Sequence, residues 1–417
     1  MLHRVIVLLL GTALGASSLD FGQSAAPTLT LEQCLEIALR DSPRVRAAFE
    51  REQAAQARIN QARALPQPVV SYDSDLQPRP FQFRASGESY LGVTQAFEYP
   101  GRRSVRAAIA RGEADQTRTD TDLARLELRF DVTVAFDALL LAREKLAYAE
   151  QNLALAQDFL EKTELKHRAG DIPEVEVIRA RVEAAQAARA VRAAASEVSL
   201  ARASLNFLLA RPASAPLEVS GSLARPPAPL DLSVLQEMAR RGRPDLRRME
   251  LELARLDLER RQASLTNVPD VDFGFSTHRI EGEPRTWDVT LSAAVPLFWW
   301  QPKKGVVAEA DARRRAGAHE LELLRERISL DVEQAHLTAL TTRAQIAAFE
   351  QDILGPASRV YDMLLFSFQQ GEIGSIELID ARRTLSQARQ AYADALYEHS
   401  IALATLEKSV GQALRGR

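Results

Sequence analysis

Cysteine is all but missing from this chain. Cys34 is the only one, which excludes an internal disulfide and a cysteine-based metal centre. Histidine is scarce as well. His3, His167, His278, His319, His336 and His399 show no metal-ligand spacing, and His319-Glu320 lacks the second histidine of a zinc-protease helix. Each is expected to be an isolated surface residue. There is no glycine loop of the kind that cradles phosphate and no nucleophile-elbow serine. An enzyme would have no residues to work with, so no catalytic, cofactor or metal residue is assigned and no cofactor is expected. There is no basic tail, and the net charge is −3, which argues against a nucleic-acid binder. Beyond the N-terminus, no run is apolar enough to cross a membrane as a helix.

Aromatics are only 6% of the 417 residues, while Ala, Leu, Arg and Glu dominate. That composition suits long helices with narrow seams. Between Arg102 and Arg168 there is no proline and a single glycine, Gly112. A helix over that span is ~100 Å long at ~1.5 Å per residue.

What is present occurs twice. Arg168-Ala-Gly-Asp-Ile-Pro-Glu-Val-Glu176 matches Gln369-Gln-Gly-Glu-Ile-Gly-Ser-Ile-Glu377 at an offset of 201 residues. Gly170 pairs with Gly371, Ile172 with Ile373, and Arg181 with Arg382. The same offset relates Arg40, Pro43 and Arg46 to Arg241, Pro244 and Arg247, and Pro68 to Pro269. Matched Pro and Gly are punctuation rather than helix filler, and so long a period means two copies of a domain-sized unit. Each glycine suits the left-handed residue that ends a helix, so each motif reads as the turn of a helical hairpin.

The N-terminus, with Arg4 before the apolar run Val5–Leu14 and small residues after it, reads as a secretory signal over 1–26. Cys34 lacks the small residues that usually precede a lipidated cysteine, so no lipid anchor is expected. The first repeat is assigned to 27–210, a linker with five prolines to 211–230, and the second repeat to 231–417.

Each repeat has one plan. A short helix starts after Thr30, and another runs from Pro43 to about Ala64. Val69–Leu76 and Gly87–Tyr99 alternate as strands, with Leu91, Val93, Phe97 and Tyr99 on one face. A long helix follows, then a return from Pro173 to about Ala210. In the second copy, short helices cover Leu232–Arg240 and Pro244 to about Thr266. Strands run from Val271 and from Trp287 to Val295. A long helix carries a seam from Leu321 through Ile328 and Val332 to Ile346, close to a heptad. Pro356 is expected to kink it. Ser375 to about Gln412 returns.

Four strands of about 9–12 residues match the ~9–11 needed to cross an outer membrane. Four cannot close a barrel, open edges are not tolerated in lipid, and three chains would supply twelve. Alternation alone suits equally a small soluble sheet packed on the helices. The export signal and the order of strand then long helix favour the membrane. Phe97, Tyr99, Trp287, Phe298, Trp299 and Trp300 are then candidate membrane-interface aromatics. The fold expected is mainly α with a transmembrane β part: a duplicated unit of long antiparallel helical hairpins plus four strands.

The chain resembles the TolC family of outer-membrane channels. The resemblance rests on Leu29-Thr-Leu-Glu-Gln-Cys-Leu-Glu-Ile-Ala-Leu-Arg-Asp-Ser-Pro43, Val93-Thr-Gln-Ala-Phe-Glu-Tyr-Pro-Gly-Arg-Arg103, Val295-Pro-Leu-Phe298 and Gly371-Glu-Ile-Gly-Ser-Ile-Glu-Leu-Ile-Asp-Ala-Arg382. The segment Gln95–Arg103 is similar to the branch serving heavy-metal and cation pumps. The resemblance implies a homotrimer with a twelve-stranded barrel in outer-membrane lipid and an α-helical tunnel in the periplasm. It implies a passive exit duct of a tripartite efflux or secretion system. Its partners would be a periplasmic adaptor and an inner-membrane pump of the resistance-nodulation-division type, with no nucleic acid. The alternative is an exported coiled-coil structural or adaptor protein without a pore. Gly170, Asp171, Ile172, Gly371, Glu372 and Ile373 are the expected periplasmic tip, where an adaptor docks. Glu176, Arg179, Arg181, Glu377, Asp380 and Arg382 are candidate entrance-gate charges that pair between subunits. The same charges also suit helix ends in water.

Overall fold

The computed structural model describes residues 28–75, 81, 87–224, 231–295, 297–298, 300–370 and 372–414, with no side chains described at 300–302. The signal segment, Gly371 and Trp299 lie outside these residues, as does the side chain of Trp300.

Thr30 caps α1 (Leu31–Asp41) through a reciprocal box: Gln33 N donates to its hydroxyl at 3.4 Å, and its own N–H donates to Gln33 Oε1 at 2.9 Å. Proline opens the next helices. Pro43 stands at the first turn of α2 (Pro43–Arg63), Pro100 of α3 (Pro100–Arg168) and Pro244 of α6 (Pro244–Ser264). There its missing N–H costs nothing and its fixed φ favours the helix. α3 has 69 residues, α4 (Glu174–Leu208) returns beside it, and α5 (Leu232–Gly242) precedes α6. In the second copy α7 (Trp300–Ala348) and α8 (Leu354–Gln370) form the outgoing arm, and α9 (Ser375–Val410) returns. α9 ends on Gly411 in the left-handed region at φ 81°.

A π-helical turn, Phe349–Ile353, separates α7 from α8. The irregularity expected at Pro356 therefore sits one turn upstream. Pro356 has no N–H for the Asp352 carbonyl, and its ring crowds that oxygen, so the helix widens there. The matching position in the first copy is Leu155, within unbroken α3.

Strands β2 (Val69–Asp75), β3 (Glu88–Phe97), β5 (Val271–Ile280) and β6 (Thr286–Ala293) form one antiparallel sheet in that order. The β3–β5 pair joins the two copies. β2 has seven described residues, Leu76 lying outside them, and β6 has eight, shorter than the 9–12 expected, because β6 stops at Ala293 where the chain leaves the sheet for α7. Tyr99 consequently leaves the strand and becomes the residue before α3.

The segment read as linker is partly core. Leu217 and Leu223 are fully buried, and β4 (Glu218–Val219) pairs in parallel with β1 (Thr28–Leu29). The prolines break helix, but the apolar residues between them still find cover. The main core joins these leucines to Cys34, Leu128, Val132 and Phe136. Burial pushes the Cys34 thiol up to about 11. A second cluster packs α5 and α6 on α7 and α9 through Leu235, Ile328, Val332 and Leu406. A third, around Phe159, Ala180 and Leu378, lies near the hairpin turns.

Candidate functional site

The sheet has one apolar face. Two cross-strand rows show it: Val70–Val93–Phe275–Val289, and Tyr72–Leu91–Thr277–Trp287. Apart from Thr277, all of these are exposed, Val289 at 66% and Trp287 at 61%. The opposite face carries Ser71–Gly92–Ser276–Asp288 and Thr94–Gly274–Thr290. A Cβ on Gly92 would lie 3.2 Å from both Ser276 Cβ and Ser71 Oγ, and one on Gly274 would lie 3.4 Å from Thr290 Cβ. Crowding on the polar side is what a sheet curling toward that side produces, and glycine relieves it. No described helix is laid across either face, and β2 and β6 leave two edges unpaired. A ten-residue strand spans ~34 Å, or ~24 Å when tilted at about 45°, which matches the ~25 Å apolar band of an outer-membrane barrel. Of the expected interface aromatics, Phe97, Tyr99, Trp287 and Phe298 are exposed.

Two arginines of α3 fasten the sheet to the helices, a role the sequence reading missed. Arg102 pairs with Asp270 at 2.6 Å and donates to the carbonyls of Leu265, Thr266 and Val268. Arg106 pairs with Glu98 at 2.8 Å and donates to the carbonyls of Ala62 and Ala64. They stand one turn apart. Each satisfies the orphan carbonyls at the end of a short helix, α6 or α2. Two arginines four residues apart at a helix start were the available signal.

At the far end both turns are seen. Gly170 holds φ 85° with open space where a Cβ would stand, and Asp171 N donates to Lys166 O at 3.0 Å. The second turn repeats that bond from Glu372 N to Ser367 O at 3.0 Å. Asp171 and Glu372 are exposed, and Ile172 and Ile373 half-buried. The two turns lie side by side: Asp171, Ile172, Ile373 and Ser375 line one cavity of about 460 Å³.

The charges expected at the entrance divide into two groups. Glu377 and Asp380 are exposed and make no ion pair among the described residues. Glu176 bonds Arg179 at 2.9 Å and accepts from the Ser375 hydroxyl, and Arg181 bonds Glu164 at 3.3 Å. Arg382 departs from expectation. It is buried and committed within the chain to Glu183 at 2.9 Å, because its place on α9 faces α4 rather than the surface. Arg383 pairs with the second oxygen of Glu183. Burial pulls the Arg382 guanidinium below its ordinary value, against the opposing pull of Glu183. Glu183 was not singled out, since nothing in the sequence marks which helix faces which.

The histidines divide too. His319 is exposed, and His167 meets the Ile172 carbonyl at 2.8 Å. His278 stacks on Tyr90 with centroids 4.0 Å apart. His399 is not a surface residue: it is buried, with Nδ1 2.9 Å from the Thr342 hydroxyl. Beside it Ser400 donates to buried Asp137 at 2.6 Å. No group of three potential metal ligands occurs among the described residues, and no described helix is long and apolar enough to cross a membrane.

The family model described as outer membrane efflux protein matches the chain twice, at residues 34–211 and 235–412. The cobalt-zinc-cadmium resistance protein CzcC of Cupriavidus metallidurans is 26% identical over 406 residues, covering 94% of this chain and 92% of its own. The crystal structure of the outer membrane protein VceC of Vibrio cholerae superposes with a TM-score of 0.75 at 15% identity, covering 92% of this chain and 97% of that one. The open state of the MtrE outer membrane channel of Neisseria gonorrhoeae gives 0.73 at 21% identity, covering 92% and 89%.

Proposed function

The chain belongs to the outer membrane efflux protein family, and from that premise we propose how it works: three copies pool their sheets into one twelve-stranded barrel that continues into a helical duct. The protein is an outer-membrane efflux channel that extends into the periplasm. The observation that carries the trimeric reading is the sheet. It is apolar on one exposed face, polar on the other, open at both edges and uncovered by any described helix. In lipid such edges must be closed, and closing β6 onto β2 of the next copy does so.

The cargo is a divalent metal cation driven by an inner-membrane pump of the resistance-nodulation-division type. The relation to CzcC supports this, as do the unpaired carboxylates of Glu377 and Asp380, which would focus negative potential at the mouth. Gly170, Asp171, Ile172, Glu372 and Ile373, with Gly371, form the surface for a periplasmic adaptor. Glu176, Arg179 and Arg181 complete the entrance charge.

Paired substitutions on adjacent residues test the barrel. Val289→Arg faces lipid and costs ~2–4 kcal/mol near the midplane, whereas Thr290→Arg faces water. The first is expected to abolish heat-modifiable trimers in the outer-membrane fraction, and the second to leave them. A water-soluble monomer, or equal tolerance of both changes, overturns the reading.

A further inference from the structure

Some way down α3, ~40 Å from its start at ~1.5 Å per residue, a cleft opens. It has a volume of about 390 Å³ and lies where α3 meets the α5–α6 corner and the last turn of α9. Its charge opposes that of the chain. Arg125, Arg129, Arg241, Arg243, Arg247 and Lys408 line it against Asp122 and Glu407, while the chain as a whole carries −3. Three of these cations are spoken for: Arg125 by Asp122 at 3.1 Å, Arg241 by Glu237 at 2.6 Å, and Arg243 by Asp245 at 2.6 Å and Asp331 at 3.2 Å. Arg129, Arg247 and Lys408 have no carboxylate partner among the described residues. Lys408 stands over the Phe130 ring, 4.6 Å from its centroid. Arg125 and Arg129 are also one turn apart, a like-charge spacing that works against a helix.

The first copy shows how such a corner is neutralised. Arg40 and Arg46, the counterparts of Arg241 and Arg247, both pair with Asp41, at 2.9 and 3.3 Å. The counterpart of Asp41 is Gly242. A Cβ there would stand 3.0 Å from the Val410 carbonyl oxygen, so the end of α9 leaves no space for a carboxylate. The second corner has the arginines without that acid.

We propose that this cleft binds a small multivalent oxyanion, with the charge and size of a diphosphate or a tricarboxylate. Arg129 and Arg247 offer the forked donors that such oxygens fit, and Lys408 adds a point charge above an apolar floor of Phe130 and Leu126. The volume falls at the small end of the ~300–1,000 Å³ typical of ligand sites. An occupant would bridge α3, the α5–α6 corner and α9, and so stabilise the folded chain by mass action.

Calorimetric titration of the detergent-solubilised full-length protein at low ionic strength tests this, with inorganic pyrophosphate in one arm and citrate in the other. One saturable site per chain is expected, and the tighter arm identifies phosphoryl or carboxylate chemistry. Arg129→Gln and Arg247→Gln should each weaken binding about tenfold or more, as loss of a charged hydrogen bond implies. Both side chains are exposed and unpaired, so melting without ligand should not change. Arg189→Gln, on the exposed face of α4, should bind as the parent does. Absence of saturable heat with either anion overturns the proposal. So does binding that survives both cleft variants or falls equally with Arg189→Gln.

Discussion

Replacing Glu183 with alanine removes a buried carboxylate that ties the second hairpin to the first through Arg382. Its side chain is 10% exposed and that of Arg382 7%, so the pair is held away from water. Loss of one partner from a buried pair costs about 3–5 kcal/mol, because the remaining charge stays desolvated. Arg382 Nε already lacks a partner, which leaves the stranded guanidinium little compensation. Arg383 is 52% exposed and contributes no more than the ~0–1 kcal/mol of a surface pair. The tip has its own apolar cluster, separate from the two larger ones, so the cost should fall locally. Native-state hydrogen exchange reads it directly. Amides of 176–188 and 376–388 should exchange on the order of 100-fold faster, about 3 kcal/mol at 1.4 kcal/mol per decade. Amides around Val132 and Phe136 should not change. The double variant Glu183→Met with Arg382→Met removes both charges and should recover most of the loss. Unchanged exchange at the tip in Glu183→Ala, or a double variant worse than the single, would refute the argument.

His399 gives a pH dependence. Burial, and then Arg343, hold its pKa below the ordinary 6.5. Above 6.5 neither the folded nor the unfolded chain protonates it. As pH falls below that, the unfolded chain takes the proton first, so stability drops until the folded pKa is passed. Denaturation midpoints followed downward from neutral pH should show this slope in the parent and a shallower one in His399→Gln. Pro356→Ala should restore a regular ladder through Phe349–Ile353 and stabilise the arm by up to ~3 kcal/mol, read as slower exchange there. Arg102→Ala strips Asp270 and three carbonyls of a donor and should cost about 1.5–3 kcal/mol, seen as faster proteolysis between Leu265 and Asp270. Arg102→Lys should not rescue it, because one ammonium cannot reach that fork of acceptors.

Features with a short repeat were legible in the sequence. The period of two in Val271–Phe275 and Trp287–Val295 placed the strands and their apolar face. Pro43, Pro244 and Gly170 marked helix ends through backbone rules that act within a few residues. Lateral partners of long helices were not legible. A seam of alanines and leucines lets a helix turn slightly without changing its pattern, and that rotation decides whether Arg382 meets Glu183 or solvent. It likewise decides that His399 is buried against Thr342. Leu217 and Leu223 sit among prolines that announce a linker, yet the gap beside α3 is where they bury. The sequence alone therefore determined the duplication, the order of elements and the two-faced strands, since each is written in local spacing. Only the tertiary structure decided which charges are spent inside the chain and which are left unpaired, because that depends on how helices some 200 residues apart are set side by side.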